Sequence, residues 1–116
     1  MLPAQNRLTH RSAFAKVYGK GRSSVTDLIV VYVLPEGNGP TRVGFSVSGK
    51  LGSAVVRNRM KRVLSECTRA ILPRIADGFN VVVVARRKAV GASYADVSAA
   101  LEATFSRIGI LKARDD

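Results

Sequence analysis

Arg57-Asn58-Arg59-Met60-Lys61-Arg62 places four cations and one amide within six residues. A guanidinium is planar and offers paired N–H groups, so closely spaced arginines suit phosphate oxygens. The amide of Asn58 adds both a donor and an acceptor. At helical spacing, Arg57, Asn58, Lys61, Arg62, Ser65 and Arg69 lie on one side, with Arg59 near one edge. Val56, Met60, Val63, Leu64, Cys67 and Ile71 form an apolar stripe on the other, as a core-facing helix requires. A helix anchored by that stripe holds its cations in place before any ligand arrives. A merely solvated face would mix charge signs, yet only Glu66 interrupts these cations. Like charges three and four residues apart destabilise an unliganded helix, and that cost points to an anionic ligand.

The whole chain carries the same imbalance. Nineteen Lys and Arg against eight Asp and Glu give +11 over 116 residues. Eleven of the cations, but only Glu66 and Asp77 of the acids, fall between Arg42 and Lys88, so +9 is concentrated there. A small basic domain of this kind meets a polyanion, with nucleic acid the first candidate and a membrane surface the second. The 47% hydrophobic content is enough for one core, and the length fits one domain over 1–116, with 1–8 and 110–116 expected as flexible ends.

Several chemistries are excluded by counting. Cys67 alone forms no internal disulfide and no zinc site, and His10 alone supports no Ser-His-Asp or Cys-His arrangement. No apolar run reaches the roughly 20 residues of a membrane-spanning helix, and residues 1–7 lack the apolar stretch of a signal peptide. The chain therefore reads as a reduced, cytoplasmic, soluble domain. A protein nuclease would need clustered carboxylates to hold metal ions at the scissile phosphate. Glu66 and Asp77 stand alone among cations, and the other acids lie near the termini or at Asp27 and Glu36, so the polypeptide itself is not expected to be catalytic.

The elements that must position these residues follow from periodicity and punctuation. Thr9 is placed to cap a short helix through about Tyr18, with Phe14, Val17 and Tyr18 on one side and Gly19 ending it. Residues 28–34 are β-branched and apolar, a strand containing Tyr32. Residues 35–40 are dense in turn formers and predict a hairpin loop. In the next strand, 41–48, Val43, Phe45 and Val47 alternate with Arg42, Gly44, Ser46 and Ser48, so one face is core and the other is small, polar and approachable. Ser53 caps the basic helix, which Pro73 stops after Leu72. Val81 to Val84 do not alternate, which predicts a central strand over 79–85 buried on both faces. Ser93-Tyr94-Ala95-Asp96 matches a capping box opening a last helix, with Val97, Leu101, Phe105 and Ile108 inward. A further short strand can lie near 23–26 or within the hairpin. The class is α+β.

Residues 43–62, from Val43-Gly44-Phe45-Ser46-Val47-Ser48 to the Arg57–Arg62 motif, closely resemble the signature of the bacterial ribonuclease P protein subunit. Asn6-Arg7-Leu8, Phe14, Val17, Gly21-Arg22 and Arg69 also fit that family, as does the strand running from Val81 to Arg86. Gly49, Ser53 and Asn80 depart from it, standing where Lys, Asn and Asp are common. The resemblance implies a small two-layer α/β sandwich, order α-β-β-β-α-β-α, with a left-handed β-α-β crossover. It implies a protein that joins a catalytic RNA in removing the 5′ leader of precursor tRNA. The RNA subunit carries the active site and holds the required magnesium, and no cofactor is intrinsic to the protein.

The implied contacts divide in two. Arg57, Asn58, Arg59, Lys61, Arg62 and Arg69 bind the RNA subunit. A cleft between the first helix and the sheet takes the single-stranded leader, with Phe14, Tyr18 and Tyr32 as stacking residues, Ser46 and Ser48 on the small polar face, and Lys50 and Arg86 nearby. Neither DNA nor a membrane is an expected partner. A ribosomal or general structured-RNA-binding protein is the alternative, and the Arg57–Arg62 motif with its preceding strand separates the two. A helix-turn-helix reader is disfavoured, because the basic helix follows a strand and a glycine turn.

Overall fold

The computed structural model describes residues 1–112. It contains helices α1 (Arg11–Lys20), α2 (Ala54–Ile71) and α3 (Tyr94–Ile108), and strands β1 (Arg22–Val25), β2 (Ile29–Pro35), β3 (Arg42–Ser46) and β4 (Phe79–Ala85). The order is α-β-β-β-α-β-α, and the further short strand expected near 23–26 is β1.

The valine run decides the sheet. Val81, Val82 and Val83 are fully buried, which requires cover on both faces and a strand on both edges. β4 accordingly sits inside the sheet, in the order β1-β2-β4-β3. It pairs antiparallel with β2 and parallel with β3, so β3, α2 and β4 make a β-α-β unit. This overturns the hairpin expected over 35–40. β2 and β3 are separated by β4, and the 36–41 loop bridges that gap, its Glu36 and Gly39 backbone groups bonded to Gly78.

One face of the sheet carries the main core. Ile29, Val31, Val33, Val43, Val81 and Val83 pack there against Met60, Leu64 and Cys67 of α2 and Leu101 and Phe105 of α3. These two layers are the expected sandwich. α1 lies on the opposite face, where Leu8, Val17 and Val82 form a smaller cluster flanked by Phe14, Tyr32 and Leu34. One ten-residue helix cannot cover four strands, and Ser46, Val84 and Tyr32 beside it are only half-buried.

The limits of α1 differ from expectation. His10, not Thr9, is the residue before the helix, and the helix passes through Gly19 to Lys20. The glycine that ends it is Gly21, where a Cβ would stand 2.5 Å from the Val17 carbonyl oxygen and 2.8 Å from that of Val33.

Both ends of the described chain pack against the body of the fold. Leu2 and Leu8 are buried, the Asn6 amide donates to the Thr41 carbonyl (2.9 Å), and Arg7 bridges to Val43 alongside β3. Two leucines and an edge strand with free backbone groups are what fix residues 1–8, since an unpaired edge offers ready hydrogen-bond partners. At the other end Ile110 is buried and Leu111 pairs with Ile75. The remainder of the 110–116 segment, from residue 113, lies outside the described residues.

Candidate nucleic-acid interface

α2 starts from a built cap. The Ser53 hydroxyl accepts from the Val56 N–H (3.3 Å), so the serine found where asparagine is common keeps the capping function. Just before it, the Ser48 hydroxyl accepts from the Lys50 N–H (3.2 Å) and shapes a single 3-10 turn over Gly49–Leu51. The helix is then held by Met60, Val63, Leu64, Cys67 and Ile71, as the stripe predicts. The Cys67 thiol reaches the Tyr94 carbonyl (3.6 Å) from within this core.

Asn58, Arg59, Lys61, Arg62 and Arg69 are exposed on the side away from the core. Arg57 departs from this pattern. It is half-buried, its Nε is enclosed without a hydrogen-bond partner among the described residues, and its Nη1 lies 3.9 Å from where a Gly49 Cβ would stand. It leans on the preceding turn, because the first turn of α2 lies beside that loop and not over open solvent.

The cation-bearing side of α2 borders a cleft of about 490 Å³. Asn58, Lys61 and Arg62 form one wall, Val43, Gly44 and Phe45 the floor, and Phe14 with Arg7 and Leu2 of the N-terminal segment the other wall. Three of the lining side chains are cations and none is a carboxylate. Glu66, the one acid on α2, is turned to the Met1 amino group, which donates to it at 2.8 Å. That hydrogen bond, then the charge behind it, hold the Glu66 carboxyl below its ordinary pKa, with Arg69 adding less. The sign follows: the bond is present at neutral pH and breaks as pH falls through the depressed value.

The expected leader residues separate into three places. α1 crosses the row Gly44–Val82–Tyr32, which is one cross-strand register of β3, β4 and β2. Phe14 sits on Gly44, whose added Cβ would overlap the phenyl ring. The space expected above Gly44 is therefore filled by this ring. At the other end of the row Tyr18 meets Tyr32 edge to face, ring centres 5.1 Å apart at 88°. Tyr18 keeps 42% of its surface exposed, so this pair offers an aromatic face. Ser46 lies on the same side of the sheet, half-buried. Ser48, Lys50 and Arg86 follow the parallel ends of β3 and β4, and Arg86 also donates to the Thr26 carbonyl (2.8 Å). The structure thus joins Phe14 to the cationic helix in one cleft and leaves the tyrosine pair apart from it. Arg7, which the sequence offers only as part of the family-like Asn6-Arg7-Leu8 run and without a contact role, also lines this cleft.

Gly44→Ala tests the Phe14 seat. Overpacking of this kind costs about 1–3 kcal/mol, so the urea midpoint should fall. Combining it with Phe14→Ala should cost less than the sum of the two changes, because the clash is gone. Additive losses would mean that the ring does not rest on Gly44.

A mixed four-stranded sheet with one long cationic helix beside a carboxylate-free cleft defines a basic α+β domain with a surface suited to a polyanion. The family model described as ribonuclease P matches residues 2–109. A ribonuclease P protein component from Symbiobacterium thermophilum is 45% identical over 107 residues, 91% of this chain and 93% of the relative. The RNase P protein of Staphylococcus aureus superposes with a TM-score of 0.81 at 29% identity, covering 92% of this chain and 98% of that one. That of Thermotoga maritima does so with a TM-score of 0.80 at 30% identity, covering 87% and 96%. The chain belongs to the ribonuclease P protein family, as a component of the bacterial type.

Proposed function

We propose that this chain is the RNA-binding, non-catalytic subunit of a ribonucleoprotein that removes the 5′ leader of precursor tRNA in the cytoplasm. The exposed cations of α2 hold the catalytic RNA. The face of the sheet beside α1, with Phe14, Tyr18 and Tyr32, holds the unpaired leader. The observation that carries this reading is the anchored cationic helix bordering a cleft that has aromatic and aliphatic lining but no acid. Such a surface attracts phosphates and offers flat contacts to unpaired bases, which is how single strands are bound without strong sequence preference.

The residues here do not fit a resident magnesium ion. Among the described residues no three His, Cys, Asp or Glu side chains come together, and the cleft is lined by cations. We therefore assign the metal ions of the reaction to the RNA. What the chain supplies is electrostatic: it lowers the repulsion between two RNAs and holds the leader in position, so that less salt is needed to bring them together. Among the described residues no helix is long and apolar enough to cross a membrane.

Reconstitution tests the reading. Mixed with a bacterial catalytic RNA at low magnesium, the protein should increase precursor cleavage, and should give none alone at any magnesium concentration. Cleavage by the protein alone would overturn the division of labour. Co-purification with whole ribosomal subunits, and not with one RNA of several hundred nucleotides, would favour the ribosomal alternative.

A further inference from the structure

We propose that the N-terminal segment and α2 form a two-walled clamp for one nucleotide of single-stranded RNA, in which Arg7 is a phosphate ligand facing Lys61 and Arg62. The proposal rests on the RNA-binding reading above.

Arg7 is fixed as a ligand has to be. Its backbone bridges to Val43, and the next residue, Leu8, donates its N–H to the Val43 carbonyl (3.1 Å). Its Nε donates to the Leu2 carbonyl (2.7 Å), and Leu2 is itself buried. The fork is thereby oriented through Nε, while its two terminal amino groups have no partner among the described residues. An arginine held this way loses little side-chain freedom on meeting a phosphate, and its free edge offers paired donors.

The opposite wall is also cationic. Arg7, Lys61 and Arg62 line the same cleft of about 490 Å³ with no carboxylate among them. Low-dielectric walls carrying one sign of charge focus the field into the space between, which favours an anionic group such as a phosphate there. Beside the cations the lining includes Leu2, Leu8, Val43 and the partly buried Phe14 and Phe45, an apolar surface for a flat ring. An apolar floor under a cationic rim matches a base with its phosphate. The volume is within the range of small-ligand sites, which fits one nucleotide and not a helix. A paired base in an A-form duplex cannot turn into such a space, so the ligand is single-stranded. Either the leader or an unpaired nucleotide of the RNA subunit has this chemistry.

The test uses the reconstituted holoenzyme. Arg7→Gln, Arg7→Lys and Arg62→Ala are compared for affinity to the RNA subunit, to precursor tRNA and to mature tRNA over a range of salt, with urea melts of each protein. Arg7→Gln should weaken binding by about tenfold or more, as expected when one charge-assisted hydrogen bond is removed. It should also lower the log–log salt slope by about 0.7, the value for one phosphate of a single strand. Arg7→Lys should keep the slope yet lose affinity, because the charge remains and the fork does not. Loss confined to precursor tRNA assigns the nucleotide to the leader; loss in assembly with the RNA subunit assigns it there; both support the clamp. An unchanged Arg7→Gln beside a weakened Arg62→Ala overturns the clamp and spares the RNA-binding reading. If neither variant changes binding, both readings fall. A loss accounted for by a lower urea midpoint also overturns the clamp, since Arg7 would then only tie down the N-terminal segment.

Discussion

Replacing Arg59, Lys61 and Arg62 together by Ala should lower affinity for the RNA subunit by on the order of 10³-fold while leaving the fold intact. Each charge-assisted hydrogen bond contributes about 1.5–3 kcal/mol, and three neighbouring ones add imperfectly. All three side chains are exposed, outside the stripe through which α2 meets the core. Exposed changes of this kind move stability by only about ±0.5 kcal/mol, and Ala also removes like-charge repulsion along the helix. The urea midpoint should therefore stay or rise. The log–log dependence of binding on salt should flatten by up to about 0.9 for each phosphate that the protein no longer neutralises. Weakened affinity with an unchanged slope would show that these residues act through something other than phosphates. Arg57 is kept out of this set because its Nε is enclosed against the Gly49 turn, so its removal would mix a packing loss with a charge loss.

The parts of the fold that depend on local pattern were legible. The valine run specified β4 to the residue, the stripe from Met60 to Ile71 specified the buried side of α2, and Ser53 and Ser93 marked their helix starts. Pairing partners were not legible in the same way. Neighbours in sequence usually pair, which makes 35–40 look like a hairpin, but β4 takes both partners because only an inner position buries Val81, Val82 and Val83 together. The segment 1–8 is too short to show a period, and its placement comes from the β3 edge, a feature of the assembled sheet. For the same reason the cleft itself could not be read. The motif gave Asn58, Lys61 and Arg62, and the aromatic reading gave Phe14, but their meeting around Gly44 needs α1 and α2 to be placed on the sheet first.

That placement makes the tyrosine pair the cleaner probe of leader binding. Phe14 is wedged on Gly44 and borders the cationic helix, so changing it disturbs packing and two surfaces at once. Tyr18 is 42% exposed and touches Tyr32 edge-on, so Tyr18→Ala removes an open aromatic face at little cost to the core. Stacking of one base on an aromatic ring is worth about 1–3 kcal/mol, or roughly five- to 150-fold in affinity. Tyr18→Ala, and Tyr32→Ala more strongly, should weaken holoenzyme binding of precursor tRNA by a factor in that range and leave mature tRNA nearly unaffected, because mature tRNA has no leader to stack. The comparison is made at one salt concentration, with calcium replacing magnesium so that cleavage does not run during titration. Urea melts accompany it, since the edge-to-face pair itself contributes about 0.5–1.5 kcal/mol to the fold. Equal losses for the two tRNAs would place the tyrosines outside the leader path. A precursor-specific loss with an unchanged melt is the result that assigns them to it, because a packing defect cannot distinguish a tRNA with a leader from one without.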